Sequence, residues 1–126
     1  MYITHLSSIP EESLKPGENP AVAPGTVRWL IAETDGAPTF EMRCFTLRSC
    51  GTTPWHSHPW EHEVFVLSGK GYIRSEVGEQ ELRHGHAVLV SPSEWHQFRA
   101  GEEGEFTFIC IVPKGTRACS LDPGKR

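Results

Sequence analysis

Short stretches in which apolar and polar residues alternate account for most of this chain, with glycine- or proline-containing turns between them. Alternation with a period of two residues predicts β-strands, and no stretch has the 3.6-residue period of an amphipathic helix. The strands are predicted at residues 26–33, 40–48, 62–67, 72–77, 79–83, 87–91, 95–100 and 105–113. Short strands separated by tight turns indicate an all-β fold, built as an antiparallel sandwich or small barrel.

The first 25 residues differ from the rest because they contain four prolines and show no sustained periodicity. We therefore expect an extended arm at residues 1–25, lying over the surface or on a partner subunit, with disorder as the alternative. Residues 26–113 are predicted to form the barrel, and residues 114–126 a loose C-terminal tail. With 126 residues in all, the chain is long enough for a single domain with its own hydrophobic core.

The charge balance limits the partners that this chain can have. Twelve basic and sixteen acidic residues give a formal net charge of −4, so we expect neither nucleic acid nor a membrane surface as a partner. No apolar run is long enough to span a bilayer, and the first residues lack the basic and apolar regions of a signal peptide. We expect a cytoplasmic protein with reduced cysteines, although a disulfide among its four cysteines stays open.

The segment from Gly51 to Gly69 contains three histidines at even spacings, and a fourth histidine follows much later. In an extended strand, residues an even number apart point to the same face, so the three imidazoles can converge while Glu61 and Glu63 point away. Imidazole is the commonest protein ligand for transition metals. The predicted metal ligands are His56, His58, His62 and His96.

Two segments, Gly51–Gly69 and Gly85–Phe98, resemble the two sequence motifs of the cupin family. The matching residues are His56, His58 and Gly69 in the first motif, and Gly85, Pro92 and His96 in the second. The departures are His62, where most cupins have glutamate, Glu94 near an expected glycine, and Ala100 in place of asparagine. The second motif is also one residue short.

The resemblance is strongest to small single-domain bacterial cupins with a four-histidine site, of the quercetinase type. It implies a cupin jelly-roll barrel, an antiparallel double-stranded β-helix, that pairs into a homodimer. It also implies one divalent transition metal per chain, with manganese or iron expected first and zinc, nickel, copper or cobalt as alternatives. Such a resemblance indicates the fold and the metal, but it says much less about the substrate.

The identity of the third ligand has an alternative in Glu63, because glutamate is the commoner residue at this point of the motif. The parity of the strand and the six residues between His62 and Gly69 both favour His62. A bend near Pro59 would reset the parity.

Three further residues are candidates for the pocket wall: Arg43, Phe108 and Cys110. Both faces of the last strand are apolar, so periodicity does not decide which one faces inward. The resemblance to small cupins places Phe108 and Cys110 inside, with Cys110 as a wall residue and not a ligand. For Arg43, a surface position at a sheet edge and an inward, anion-binding position are both open.

Four neutral imidazoles would leave the charge of a divalent ion uncompensated, which favours a small anionic or oxygenated organic substrate. An octahedral ion with four protein ligands keeps two open positions, as a dioxygenase-type oxidoreductase requires. Two alternatives stay open: a non-redox isomerase or lyase that uses the ion as a Lewis acid, and a sensing or binding module whose metal organises the pocket. The sequence assigns no catalytic residue.

Overall fold

The structure, a computed structural model, describes residues 1–15 and 24–116. The strands in these residues are β1 (Glu12–Ser13), β2 (Gly25–Ile31), β3 (Phe40–Leu47), β4 (His62–Ser68), β5 (Gly71–Ser75), β6 (Gly78–Leu82), β7 (Ala87–Val90), β8 (His96–Ala100) and β9 (Phe106–Pro113). The helical elements of the described ranges are two 3₁₀ turns, Leu6–Ser8 and Glu33–Asp35. The predicted all-β fold is therefore confirmed.

The strands form two antiparallel sheets that together make a jelly-roll barrel. The larger sheet has six strands in the order β1-β2-β3-β9-β4-β7, and the smaller has three in the order β6-β5-β8. The last strand, β9, lies between β3 and β4 and pairs with both of them. The barrel is consequently held together by pairings between segments that are far apart in the sequence.

Side chains from both sheets fill the interior of the barrel. On the inward face of β3 and β9, Leu47 lies opposite Phe106 and Arg43 lies opposite Cys110. Leu47 and Phe106 are both 0 % exposed. The main apolar cluster comprises Leu47, Val64, Val66, Leu82, Val90, Phe98, Ala100, Phe106, Phe108, Cys110 and Val112. Leu47 and Phe106 lie at one end of the paired strands β3 and β9, and Arg43 and Cys110 lie four residues further along each strand.

A tight turn joins β4 to β5. The sequence SGKG predicts a hairpin here, but that prediction is wrong, because β4 and β5 belong to different sheets and do not pair with each other. Gly69 has a φ of +82°, a conformation that glycine adopts without the steric cost other residues incur. A Cβ atom at Gly69 would also collide with the carbonyl oxygen of Glu105. Conformation and space thus both require glycine here. The turn follows the end of β4, the strand that begins with His62.

The N-terminal residues are attached to β2 and form the edge of the larger sheet. β1 pairs with β2, and the Arg28 guanidinium forms a 2.8 Å ion pair with Glu11. The Nε–H of Arg28 also donates a hydrogen bond to the carbonyl of Ile9 at 3.1 Å. Leu14 packs against the main cluster and against a second cluster formed by Val27, Trp29 and Ala32. This segment therefore becomes part of the barrel wall.

The division into arm (1–25), barrel (26–113) and tail (114–126) stays a prediction. Parts of the arm and tail, residues 16–23 and 117–126, lie outside the described residues. Among the residues that are described, no helix has the length and apolar character that crossing a membrane would need.

Candidate metal site and cavity

Three histidine rings meet at one end of the barrel. Across the described ranges, His56, His58 and His96 form a group in which each offers one nitrogen within 4.8 Å of the other two. Their ring centroids make a nearly regular triangle, with sides of 4.9, 5.0 and 5.1 Å. Three imidazoles in this arrangement form a suitable donor set for a divalent transition metal.

Backbone hydrogen bonds hold together the two segments that carry these rings. His56 and His96 form an isolated antiparallel bridge: the N–H of His56 donates to the carbonyl of His96 (3.1 Å), and the N–H of His96 donates back (2.9 Å). The N–H of Ser93 donates to the carbonyl of His58 at 2.7 Å. Because β4 begins only at His62, this bridge brings the rings together, and not the continuous strand that the even spacings predicted.

The hydrogen bonds of two rings leave a nitrogen lone pair towards the centre of the group. Nδ1 of His58 lies 2.9 Å from the carbonyl oxygen of Trp60, and Nδ1 of His96 lies 2.8 Å from that of Glu94. A carbonyl oxygen only accepts, so each Nδ1 carries the hydrogen and each Nε2 can act as a ligand.

The environment of His96 fits a metal ligand. Its Nε2 is buried and has no hydrogen-bond partner, which is unusual for a polar atom in a protein interior. Burial lowers the pKa of His96 below its ordinary value, against a smaller opposing effect of Glu94. A metal requires the neutral imidazole, and the structure favours that form here.

His62 lies beside this group without being a member of it. Its ring stacks on His58 with a centroid distance of 4.2 Å, and its centroid is 5.4 Å from that of His96. Burial, and next the positive charge of Arg43, lower the pKa of His62 far below its ordinary value. The structure thus shows three grouped histidines, and the role of His62 as a fourth ligand stays a prediction. Glu63, the alternative, is exposed at the surface.

The histidines line a cavity of about 160 Å³. Its aromatic lining residues are Trp29, Phe45, Trp60, Phe98 and Phe108. A cavity of about 150 Å³ can hold a benzene molecule, so this one has room for a single planar ring. The exposed residues Lys15 and Pro54 also belong to its lining and mark the side where it opens to the surface.

All three residues predicted for the pocket wall line this cavity. Phe108 stacks between Phe45 and Phe98, with centroid distances of 5.2 and 4.8 Å. Arg43 is 5 % exposed, so of its two predicted positions the structure has the inward one. Cys110 is 1 % exposed.

The Cys110 thiol connects Arg43 to the histidines. The Nη2 of Arg43 donates a hydrogen bond to the Cys110 Sγ at 3.0 Å, and the same sulfur lies 3.4 Å from the Nδ1 of His62. Burial raises the pKa of the Cys110 thiol, while the Arg43 guanidinium opposes this effect. The thiol is therefore held in its neutral form between a cation and an imidazole.

The sequence pattern did not identify two parts of the lining. Trp29 on β2 reaches the cavity because its strand neighbours Arg43 across the sheet. The segment Glu12–Lys15 reaches it because β1 pairs with β2. A strand of two residues has no detectable period, so only the three-dimensional pairing could place this segment at the cavity.

Comparison with known proteins identifies related chains. Residues 44–112 match the protein family described as the cupin domain. A solved structure of a polyketide cyclase from Streptomyces resistomycificus is similar, with 30% sequence identity and a TM-score of 0.80. The match covers 90% of this chain and 79% of that one.

Two further relatives are more distant. A 1-methylthio-D-xylulose 5-phosphate methylsulfurylase from Rhodospirillum rubrum is 28% identical over 74 residues, 59% of this chain. The match spans 47% of that protein, about half of its length. The structure of an ectoine synthase from P. lautus is 18% identical, with a TM-score of 0.76, over 97% of this chain and 86% of that one. At that identity, the likeness shows the fold alone.

Proposed function

This chain belongs to the cupin family, and we propose that it is a metal-dependent enzyme acting on a small anionic organic substrate with a planar, apolar part. The observation that carries the proposal is the group of His56, His58 and His96 in the wall of an aromatic cavity. A divalent transition metal bound there would supply a Lewis acid for a carbonyl or enol oxygen and, if redox-active, a partner for dioxygen.

The three grouped histidines would hold the metal, with His62 as the fourth ligand. Manganese or iron is the first choice, since neutral nitrogen donors suit both. None of these four residues carries a negative charge, so a substrate anion would supply the compensating charge in a low-dielectric cavity.

The remaining side chains would orient the substrate and exclude water. The stacked rings of Phe45, Phe108 and Phe98 form an aromatic part of the cavity lining beside which a planar ring can pack. A substrate larger than one ring would extend past Lys15 and Pro54, where the lining reaches the surface.

Two reaction classes are compatible with this site. We place Lewis-acid chemistry on an enolisable compound first, because the similar structure with 30% identity is that of a polyketide cyclase. Dioxygenase-type oxidation is the second candidate, since the histidines would leave the full charge of the metal to attract an enolate, and an octahedral ion would keep an open position for dioxygen.

The test combines metal analysis with turnover. We expect about one metal per chain, lost in His96→Ala and retained in the matched variant Glu63→Ala, whose side chain is exposed. The loaded protein is then assayed with aromatic β-keto acids under air and under argon. Equal turnover in both supports Lewis-acid chemistry, whereas turnover with matching oxygen uptake supports a dioxygenase. A protein that binds metal and these acids but converts none of them is a binding module, and the proposal is then wrong.

We also propose that the chain forms a homodimer. Phe40, Phe65 and Leu89, on three strands of the larger sheet, are 61 %, 45 % and 60 % exposed, and large exposed apolar side chains are typical of association surfaces. The sequence predicts that strands within residues 26–48 take part, which would include Phe40. Light scattering of the purified protein at micromolar concentration tests this, and a monomer mass would contradict it.

A further inference from the structure

We propose that Arg43 forms a carboxylate-binding subsite inside the cavity, so that the substrate is an organic acid whose carboxylate pairs with the Arg43 guanidinium. This inference rests on the proposed function, since it names the substrate class of the same cavity. It makes Arg43 a specificity-determining residue that contacts the substrate directly.

The first observation is that Arg43 is a buried cation without a carboxylate partner. It is 5 % exposed, and its Nε is buried without a hydrogen-bond partner. Arg28, Lys70, Arg83 and Arg99 each form an ion pair with a glutamate in the described part of the chain, whereas the contacts of the Arg43 guanidinium are with Cys110, Trp29 and Phe45. A buried charge is normally paired, because removing it from water without compensation is costly.

The neighbouring carboxylate forms no ion pair with Arg43. Glu41 lies two residues before Arg43 on the same strand and is also buried. Its Oε2 instead accepts a hydrogen bond from the N–H of Glu33 at 2.8 Å. The ion pairs of the described residues include none between Glu41 and Arg43.

The second observation is that the surroundings hold the guanidinium in place and leave its charge intact. Arg43 lies between Trp29 on β2 and Cys110 on β9 in the register of the sheet. Its guanidinium carbon is 5.3 Å from the Trp29 ring centroid and 4.8 Å from that of Phe45. Aromatic faces stabilise a cation without neutralising it. The donors are therefore pre-oriented for an anion, which lowers the entropic cost of binding one.

The third observation is the position of Arg43 relative to the histidines. The Cys110 sulfur contacts both the Arg43 Nη2 (3.0 Å) and the His62 Nδ1 (3.4 Å). One side chain thus separates Arg43 from His62, which stacks on His58 of the histidine group, and one small molecule can reach both Arg43 and this group. A carboxylate at Arg43 would direct the other end of the molecule towards the histidine group.

A carboxylate fits this subsite better than a phosphate. One edge of a guanidinium matches the two oxygens of a carboxylate in a planar, bidentate pair. Arg43 is buried among aromatic faces, whereas Lys15, the other cation of the lining, is exposed, and Glu12 adds a negative charge to the same lining. A phosphate dianion would bring two charges to Arg43 and need further donors. Phosphate is nevertheless a direct competitor to test, since it would also bind at an arginine.

The experiment compares benzoate with benzamide, its neutral analogue, by calorimetry on protein loaded with zinc, which is redox-inert. The variant Arg43→Met removes the charge, and Arg74→Met is the matched control. Arg74 is exposed, and its guanidinium lies 4.6 Å from the Trp55 ring, so it is also an arginine on an aromatic ring, but outside the cavity lining. We expect wild type and Arg74→Met to bind benzoate at least tenfold more tightly than benzamide, and Arg43→Met to lose this preference while keeping its metal.

Three results would overturn the subsite. In the first, Arg43→Met keeps the preference for benzoate, and removing the metal abolishes it. The carboxylate would then bind at the metal, and the proposed function would remain intact. The second is inorganic phosphate displacing benzoate at lower concentration than benzoate itself binds. The third is the absence of any benzoate preference in wild type.

A measurement on wild type keeps the inference testable if Arg43→Met does not fold. The buried Nε–H of Arg43 gives a nitrogen–proton NMR signal that the conservative variant Arg43→Lys removes. Benzoate should shift that signal and benzamide should not. A signal that does not respond to benzoate at saturating concentration contradicts the subsite. Loss of metal from wild-type protein is a separate result, which would count against the proposed function.

Discussion

Acid should destabilise the metal-free protein at a pH where most carboxylates are still ionised. Burial lowers the pKa values of His62 and His96 in the folded chain below their ordinary value of 6.5. On unfolding, both rings return to water and to that ordinary value. The unfolded chain therefore binds more protons than the folded one once the pH falls below about 6.5, and protons favour unfolding.

The sign and size of the effect follow from proton linkage. The contribution of each histidine to the free energy of unfolding is complete above about pH 6.5 and decreases as the pH falls towards the folded pKa. Well below pH 6.5, each buried neutral histidine contributes a slope of about 1.4 kcal/mol per pH unit. At pH 5.5 the His62 ring alone should cost about 1.4 kcal/mol, and His96 adds a further loss of the same sign. The total stability of a small domain is about 5–15 kcal/mol, so this loss is measurable.

Urea unfolding followed by tryptophan fluorescence, with EDTA present, measures this directly at pH 7.5, 6.5 and 5.5. Wild type should lose stability over this range, and His62→Gln should show a clearly smaller slope. Added metal should steepen the pH dependence further, because its ligands must be deprotonated. A free energy of unfolding that stays constant from pH 7.5 to 5.5 would refute the conclusion that both rings are buried and neutral.

Two other predictions follow from the interior. Phe108→Ala should lower the free energy of unfolding by about 3–5 kcal/mol because a buried ring is lost; a loss below 1 kcal/mol in urea unfolding would contradict its place in the core. Iodoacetamide should label the exposed Cys50 quickly in the native protein and leave Cys44 and Cys110 unlabelled, since burial protects both and raises the pKa of each thiol. Peptide mass spectrometry reads this out, and equal labelling of Cys110 and Cys50 would disagree.

Much of the fold follows from local signals in the sequence. Strands such as β3 and β9 are recognisable as long runs rich in apolar residues between turn residues, and glycine marks the turn at Gly69. The predicted strand at residues 26–33 ends earlier, at Ile31, because the 3₁₀ turn Glu33–Asp35 follows it directly. Gly36, with a φ of +96°, ends that turn. β1 has no local signal because it is only two residues long and exists through its pairing with β2.

The site was only partly predictable, because its geometry depends on pairings between distant segments. The sequence spacing identified the histidines. The bridge between His56 and His96, which aligns two of them, joins distant segments and could not be predicted from the spacing of residues within one segment. The inward position of Arg43 was equally inaccessible. Parity places Arg43 on one face of β3, and only the neighbouring strands β2 and β9 show that this face is the interior.

The departure of His62 from the usual cupin glutamate is linked to the uncompensated charge of Arg43. A glutamate at this position would bring a carboxylate to the side of Cys110 that now contacts the imidazole, with only the thiol between it and the guanidinium. That carboxylate would offset the positive charge of Arg43 and of any bound metal at once. Histidine leaves both charges available for a substrate.

The variant His62→Glu tests this link. Glutamate is itself a metal ligand, so zinc should still bind, whereas the affinity for benzoate should fall about tenfold or more because an opposing negative charge now lies within the cavity. Benzamide provides the control, since the binding of a neutral molecule should change little. Calorimetry with both compounds and metal analysis of the same samples give the answer. If His62→Glu keeps its zinc and binds benzoate as tightly as wild type, the charge at this position does not determine the preference for acids.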